Sequence, residues 1–211
     1  MEVEKLEAAA RERHRMIPHL EAACACCKMC NLGWSKARGE HNPHVFSNYA
    51  PTIRPAQFMI VGQNPGWNEV KKGTPFVGAA GRNFDKELVM WGRNDFYITN
   101  AVKCFTNDNK APTLKQRVRC EPFLRMEIAI IKPRLVIAFG ATAFSVLLPG
   151  PAEHRFSDYI GKITTSDKFG VKVFTTFHPS PLNLLDKPRK KQFVHDMKLL
   201  GQIMGKYLSP F

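Results

Sequence analysis

No stretch of this chain is apolar for long enough to cross a membrane as a helix, and its first residues hold no hydrophobic signal core. Glu2-Val3-Glu4-Lys5-Leu6-Glu7 opens an amphipathic helix instead, so the chain is expected to be soluble, intracellular and cytoplasmic. Acidic residues are scarce: 18 Asp and Glu stand against 31 Lys and Arg, a formal net charge of +13. That balance suits a polyanionic partner, because each phosphate neutralised releases counterions. The bland alternative is charge that only maintains solubility; without an anchor, an acidic membrane surface is disfavoured. Also missing are an internal repeat, a long linker, the turn that carries a hydrolase serine, and a phosphate-binding loop. What remains is ordinary globular material. With 211 residues, 44% of them hydrophobic and 23% charged, the chain buries a sizeable core, expected as one domain over residues 1–211.

Taken in order, residues from Val3 to about Ala25 read as helix, with Leu6, Met16, Ile17 and Leu20 as apolar positions. Pro18 predicts a break or a second short helix there. Cys24, Cys26, Cys27 and Cys30 come next, then a polar, irregular passage through His44 and Tyr49. Gln57-Phe58-Met59-Ile60-Val61 is a short β-prone run that empties into the turn Gly62-Gln63-Asn64-Pro65-Gly66. Gly81 to about Trp91 places Phe84, Leu88 and Trp91 at helical spacing. Phe96 to Thr99 is a second strand ending at Asn100, Leu114 to Ile131 a helix, and Leu135 to Phe139 a third strand ending at Gly140. A short helix over Ala141 to Leu148 precedes a fourth strand, Val171 to Thr176, which runs into Phe177-His178-Pro179-Ser180. The last helix spans roughly Lys190 to Lys206. Strands alternating with helices predict a three-layer α/β/α fold around a mainly parallel four-stranded sheet. Ligands sit outside the carboxyl ends of such strands. The Gly62–Gly66 turn, Asn100 and His178 would converge there, although a lone Asn or His at a strand end is more often a cap than a catalyst.

Six cysteines in a reducing compartment read as metal ligands or buried thiols rather than disulfides. Cys27-x2-Cys30 alone serves zinc, redox and iron–sulfur chemistry alike. Adding Cys104-x15-Cys120 makes a four-thiolate site, acceptable to zinc or to a [4Fe–4S] cluster. Cys24-x2-Cys27 repeats the first spacing, so Cys24 and Cys26 are rival ligands or incidental thiols.

Five motifs in order resemble one family: Cys27-Lys28-Met29-Cys30-Asn31-Leu32, Gly62 to Gly66, Gly73-Thr74-Pro75-Phe76-Val77-Gly78-Ala79-Ala80-Gly81, Asn100-Ala101-Val102-Lys103-Cys104, and His178-Pro179-Ser180. From about Cys27 to the last helix the chain is similar to the family 4, iron–sulfur uracil-DNA glycosylases. The resemblance implies a [4Fe–4S] cluster on Cys27, Cys30, Cys104 and Cys120, structural in role, with zinc as the alternative. It implies hydrolysis of the bond joining uracil to deoxyribose, after the nucleotide is flipped from single- or double-stranded DNA. The chain would then be a DNA-associated monomer of base excision repair. Gly62 and Phe76 would shape the uracil pocket, Phe76 as stacking wall. Asn100 would read the polar edge of uracil, and a neutral His178 would donate to the oxygen that gains charge as the base leaves.

The opening turn departs from the family's G-E-(A/G)-P-G. Gln63 replaces the glutamate and cannot act as a base, while Asn64-Pro65-Gly66 resembles the turn of the mismatch-directed uracil/thymine glycosylases, whose Asn positions water. Asn64 is therefore expected to place the attacking water with Gln63 beside it; the alternative is that Asn64 only caps the turn. The same departure leaves thymine mismatches, hypoxanthine and 5-substituted uracils open as substrates. Leu182 is the expected wedge into the base stack, with Leu184 and Leu185 as rivals. Lys187, Arg189, Lys190 and Lys191 would contact phosphates in place of an arginine the family usually carries, or else are only a solvated helix start. The loop Phe105 to Arg119 holds no His, which disfavours the superfamily branch that traps DNA covalently through one. A non-cleaving binder of modified bases is the rival from another class.

Overall fold

A computed structural model describes residues 2–32, 34–35, 40–41, 43–48, 56–91, 96–106, 110–151 and 153–208. Tyr49 and the side chains of Leu6, Leu88 and Trp91 lie outside the described set. The N-terminal helical region is two helices, α1 (Glu2–His14) and α2 (Ile17–Ala25), with Pro18 in the first turn of the second, where its missing N–H costs nothing. A two-residue hairpin, β1 (Trp34–Ser35) with β2 (Glu40–His41), follows the cysteines. The central elements are β3 (Phe58–Gly62), α3 (Trp67–Lys72), α4 (Ala79–Trp91), β4 (Phe96–Asn100), α5 (Leu114–Ile131), β5 (Leu135–Phe139) and α6 (Gly140–Leu147). After a 3₁₀ turn over Phe156–Tyr159 come β6 (Ile163–Ser166), β7 (Val171–Thr176), α7 (Pro181–Leu185) and α8 (Lys187–Leu208).

The main sheet runs β4-β3-β5-β7-β6. Its first four strands are mutually parallel, as the alternation of strands and helices predicts. The expectation of four strands needs correction: a fifth, β6, pairs antiparallel with β7 at the edge. Only Ser166 of β6 is buried, so no apolar run or clean alternation marks it in the sequence.

Period-two alternation sends each strand's residues to opposite faces. Met59, Val61, Tyr97, Val136, Ala138 and Val173 pack with α2, α5 and α6, while Phe58, Ile60, Phe96, Leu135, Ile137 and Phe174 pack with α4 and α8. These are the three layers. Helix α5 is fixed at its start by a capping box, the Thr113 hydroxyl accepting from Gln116 N at 3.3 Å and Gln116 Oε1 accepting from Thr113 N at 2.8 Å. It stops at Lys132, left-handed at φ 51°, just before Pro133.

The passage expected to be irregular is partly ordered as a strap. Ser47 bridges to Thr99 and His44 to Cys104, Asn48 N donates to Ile98 O at 3.0 Å, and Val45 N donates to Lys103 O at 2.9 Å. Backbone bonds to β4 and to the loop after it therefore anchor this segment independently of any cysteine ligation.

Candidate active site

Parallel register brings the polar strand ends together. Gly62 is the direct neighbour of Asn100, and the chain beyond continues the pairing, with Ala101 N donating to Gly62 O at 2.9 Å and Val102 N to Gln63 O at 3.0 Å. Asn64, Phe76, Asn100 and His178 all line one cavity of about 310 Å³, with Gly66, Trp67, Glu69, Ser180 and Pro181 on its walls.

Two glycines make this convergence possible. A Cβ on Gly62 would stand 2.4 Å from Asn100 Oδ1 and 2.8 Å from the Phe76 ring, so only glycine lets the two side chains meet over the strand end. A Cβ on Gly81 would lie 1.6 Å from the Phe76 carbonyl oxygen. Phe76 itself is left-handed at φ 57°, a rare state for an aromatic residue and one that clusters at ligand sites. Its ring lies 5.8 Å from that of His178 at 33°, and 5.9 Å from Phe139 beneath.

Glu69 fastens the two loops that form this wall. One carboxylate oxygen accepts from Gly66 N at 3.1 Å, the other from Gly78 N at 2.7 Å. The His178 loop is clasped similarly: Asn183 Nδ2 donates to His178 O and Asn83 Nδ2 to Pro179 O, both at 3.0 Å. At the end of β7, Thr176 donates to the buried Asp196 at 2.6 Å. None of these fasteners was singled out in the sequence; the G-x-x-E spacing Gly66 to Glu69 at a helix start was the available signal for the first.

Each polar group has a defined state. Burial pulls the His178 imidazole down to about 4, so it is neutral near pH 7. No hydrogen bond among the described residues engages the Asn100 amide, although that residue is 3% exposed. Asn64 Nδ2 donates to Pro65 O at 3.0 Å and to Thr106 Oγ1 at 3.1 Å. With both amide hydrogens committed, any bond Asn64 makes to a ligand is one its Oδ1 accepts. Gln63 is held apart from this group: its Oε1 accepts from Thr142 at 2.9 Å, on the first turn of α6. Leu182 and Leu185 are 80% and 79% exposed, whereas Leu184 packs against the core. Lys187, Arg189, Lys190 and Lys191 are exposed, and the Arg189 guanidinium is steadied by Asn183 Oδ1 at 3.1 Å and by the Phe177 ring.

Behind Asn100 lies a second polar assembly. Lys103, fully buried, donates to Asn100 O at 2.7 Å, to Thr99 Oγ1 at 2.6 Å and to Glu127. Glu127 also accepts from Tyr97 at 2.9 Å and Thr99 at 2.8 Å. Burial pushes the Glu127 carboxyl up, while Lys103 and the hydroxyls draw it back down. The cysteines border this network. Cys24, Cys104 and Cys120 are buried in the same apolar cluster, Cys27 and Cys30 pack against it, and Cys26 is exposed. Burial first, then neighbouring thiols, push Cys24 and Cys104 far above the ordinary thiol range, and burial pushes Cys120 up to about 11.

Among the described residues, no group of three or more His, Cys, Asp or Glu side chains is arranged to hold a metal ion. A four-iron cluster spreads its ligand sulfurs more widely than one ion does. Thiols of the α2–β1 segment, the loop after β4 and α5 lie in or against one apolar cluster, with Cys24, Cys27, Cys30 and Cys120 all close enough to disfavour ionisation of Cys104, a soft donor set of the kind such a group takes.

Fold and site together define a three-layer α/β/α protein whose ligand cavity opens at the carboxyl edge of a parallel sheet. A family model for the Uracil DNA glycosylase superfamily matches residues 51–199, and the chain belongs to that superfamily. It is 31% identical to the type-4 uracil-DNA glycosylase of Archaeoglobus fulgidus over 189 residues, covering 85% of this chain and 89% of the relative. It is 36% identical to the type-4 uracil-DNA glycosylase of Pyrobaculum aerophilum over 160 residues, 72% of this chain and 81% of the relative. The type-5 uracil-DNA glycosylase of the same organism is 33% identical over 150 residues, 61% and 63% of the two chains. Among the described residues, no helix is long and apolar enough to cross a membrane.

Proposed function

We propose that this chain is a DNA repair enzyme that flips uracil out of DNA and hydrolyses its N-glycosidic bond, leaving an abasic site. The observation that carries this reading is the convergence of Phe76, Asn100, His178 and Asn64 on one cavity in a chain of the uracil-DNA glycosylase superfamily. The leaving base gains negative charge as the sugar gains positive charge, so the site needs an aromatic wall, a donor at the uracil oxygen and a placed water. Phe76 is the wall. The unengaged Asn100 amide presents an acceptor and a donor side by side, matching the polar edge of uracil. Neutral His178 donates to the uracil oxygen without being charged. Asn64, its amide nitrogen tied to Thr106, accepts a hydrogen bond from the attacking water and orients it. A dissociative reaction asks little base strength of that group. Gln63 acts on the wall of the turn through Thr142 rather than on the water.

Leu182 or Leu185 enters the stack where the base leaves; Leu184 is committed to the core. Lys187, Arg189 and Lys190 meet phosphates. Cys27, Cys30, Cys104 and Cys120 hold a [4Fe–4S] cluster, which supplies a cross-link between the N-terminal segment and the loop after β4. Protein prepared without oxygen should contain iron and sulfide; zinc with no iron refutes this part. The reading as a whole is tested on single-stranded oligonucleotides carrying one uracil, hypoxanthine or 5-hydroxymethyluracil, and on thymine mismatches, with alkali to cut abasic sites. Cleavage at uracil is expected; binding without cleavage at any base supports the non-cleaving module instead.

A further inference from the structure

Trp67 opens α3 at the rim of the cavity, yet 57% of its surface is exposed. It is not a stray surface residue. Its ring tilts 55° against Phe105 at 6.0 Å, and the Lys71 ammonium stands 5.2 Å from its centre. Phe105 is fixed in turn by its own backbone, its N–H donating to Pro43 O at 2.9 Å. Phe105 is thus tilted against the indole and the Lys71 ammonium lies over one face of it, while more than half of its surface meets solvent. Exposed Lys71 and Lys72 lie in the last turn of the same helix, within a chain of net charge +13.

A strand that delivers a base into this cavity must pass over its rim. When that base leaves the stack, its neighbour in the strand loses a stacking partner. We propose that Trp67 is a stacking platform for the nucleobase next to the flipped nucleotide, with Lys71 and Lys72 facing the backbone phosphates of that strand. Base–aromatic stacking tolerates any sequence, because every base has a π face. The platform therefore imposes no sequence context on the nucleotide beside the flipped one. This inference rests on the uracil-DNA reading above.

The test uses a fluorescein-labelled single-stranded oligonucleotide whose one uridine carries a 2′-fluorine, which resists glycosidic cleavage. Trp67→Ala should weaken its binding by roughly 5- to 150-fold, the range for loss of one base–aromatic stack, and Trp67→Phe by less. Inhibition by free uracil should change less than oligonucleotide binding in both variants, since Trp67 stands at the rim of the cavity while Phe76, Asn100 and His178 are untouched. Binding should also quench the protein's indole fluorescence, and Trp67→Phe should remove most of that quench. Wild-type affinity in Trp67→Ala, or an undiminished quench in Trp67→Phe, overturns the platform. Should Trp67→Ala fail to fold, the quench comparison with Trp67→Phe decides. If wild-type protein releases no uracil from an ordinary substrate, the functional reading fails; if it does and Trp67→Ala binds normally, only the platform fails.

Discussion

Asn100 belongs to two regions with opposite habits. Its amide faces the cavity, where polar groups are held ready and left open to a ligand. Its carbonyl faces the cysteine side, where Lys103, Glu127, Thr99 and Tyr97 satisfy one another in the interior. The front is marked by incomplete pairing: an unengaged amide and a half-buried imidazole that its surroundings keep neutral. The back gains rigidity from complete pairing, because a buried polar network fixes geometry only when each member is satisfied. One strand end therefore joins a fully paired interior to an amide open toward the cavity, and the two sides should respond differently to damage.

The largest effect is expected at the back. Lys103→Met leaves Glu127 buried without its counter-ion and should cost about 3–5 kcal/mol in urea unfolding, whereas Lys103→Met with Glu127→Leu should recover most of the loss. A single variant as stable as wild type would show that the pair does not anchor Asn100. At the front, Asn64→Ala should cost only about 1–2 kcal/mol of stability, for its lost bonds to Pro65 O and Thr106, while slowing single-turnover excision by about 100-fold, the scale of a misplaced reactant. Near-wild-type excision would reduce Asn64 to a cap of its turn.

The smallest effect concerns pH. The folded value of about 4 for His178 lies below the ordinary 6.5, so the unfolded chain binds more protons between those values. Its contribution to stability is constant above about pH 6.5 and declines as pH falls toward 4. A neutral donor likewise predicts an excision rate that is flat from pH 8 to about 6 and falls near pH 4. A rate that climbs as pH drops toward 4 would mean that the imidazolium is the active form.

The front was more legible in the sequence than the back. Gly62 to Gly66, Asn100 and His178 stand at or just beyond the ends of strands whose apolar runs are plain, so an α/β reading predicts their meeting; Phe76 lies in the loop between α3 and α4, and only the family resemblance points to it. Helix α5 and strand β7 fall where the spacing puts them. Lys103, in the loop after β4, and Glu127, on α5, lie 24 residues apart, and nothing local distinguishes a buried lysine from a solvated one. Asn83 is hidden for the same reason, bonding a loop 96 residues away; Asn183 bonds backbone 5 residues away in a loop with no period, and for Glu69 only the G-x-x-E spacing is a signal. The six-residue α3 and five-residue α7 are too short to display a period, and β6 lies on an edge where only Ser166 is buried. Cys24 shows the limit in the other direction. Its spacing made it a rival ligand, and the fold buries it beside Cys104 and Cys120 without that spacing deciding between ligand and bystander.

The most direct measurement is the release of free uracil, in a single turnover, from a single-stranded oligonucleotide carrying one uracil. Stoichiometric uracil together with an alkali-labile abasic site is the expected result. Tight binding of the same oligonucleotide with the uracil still attached would contradict it.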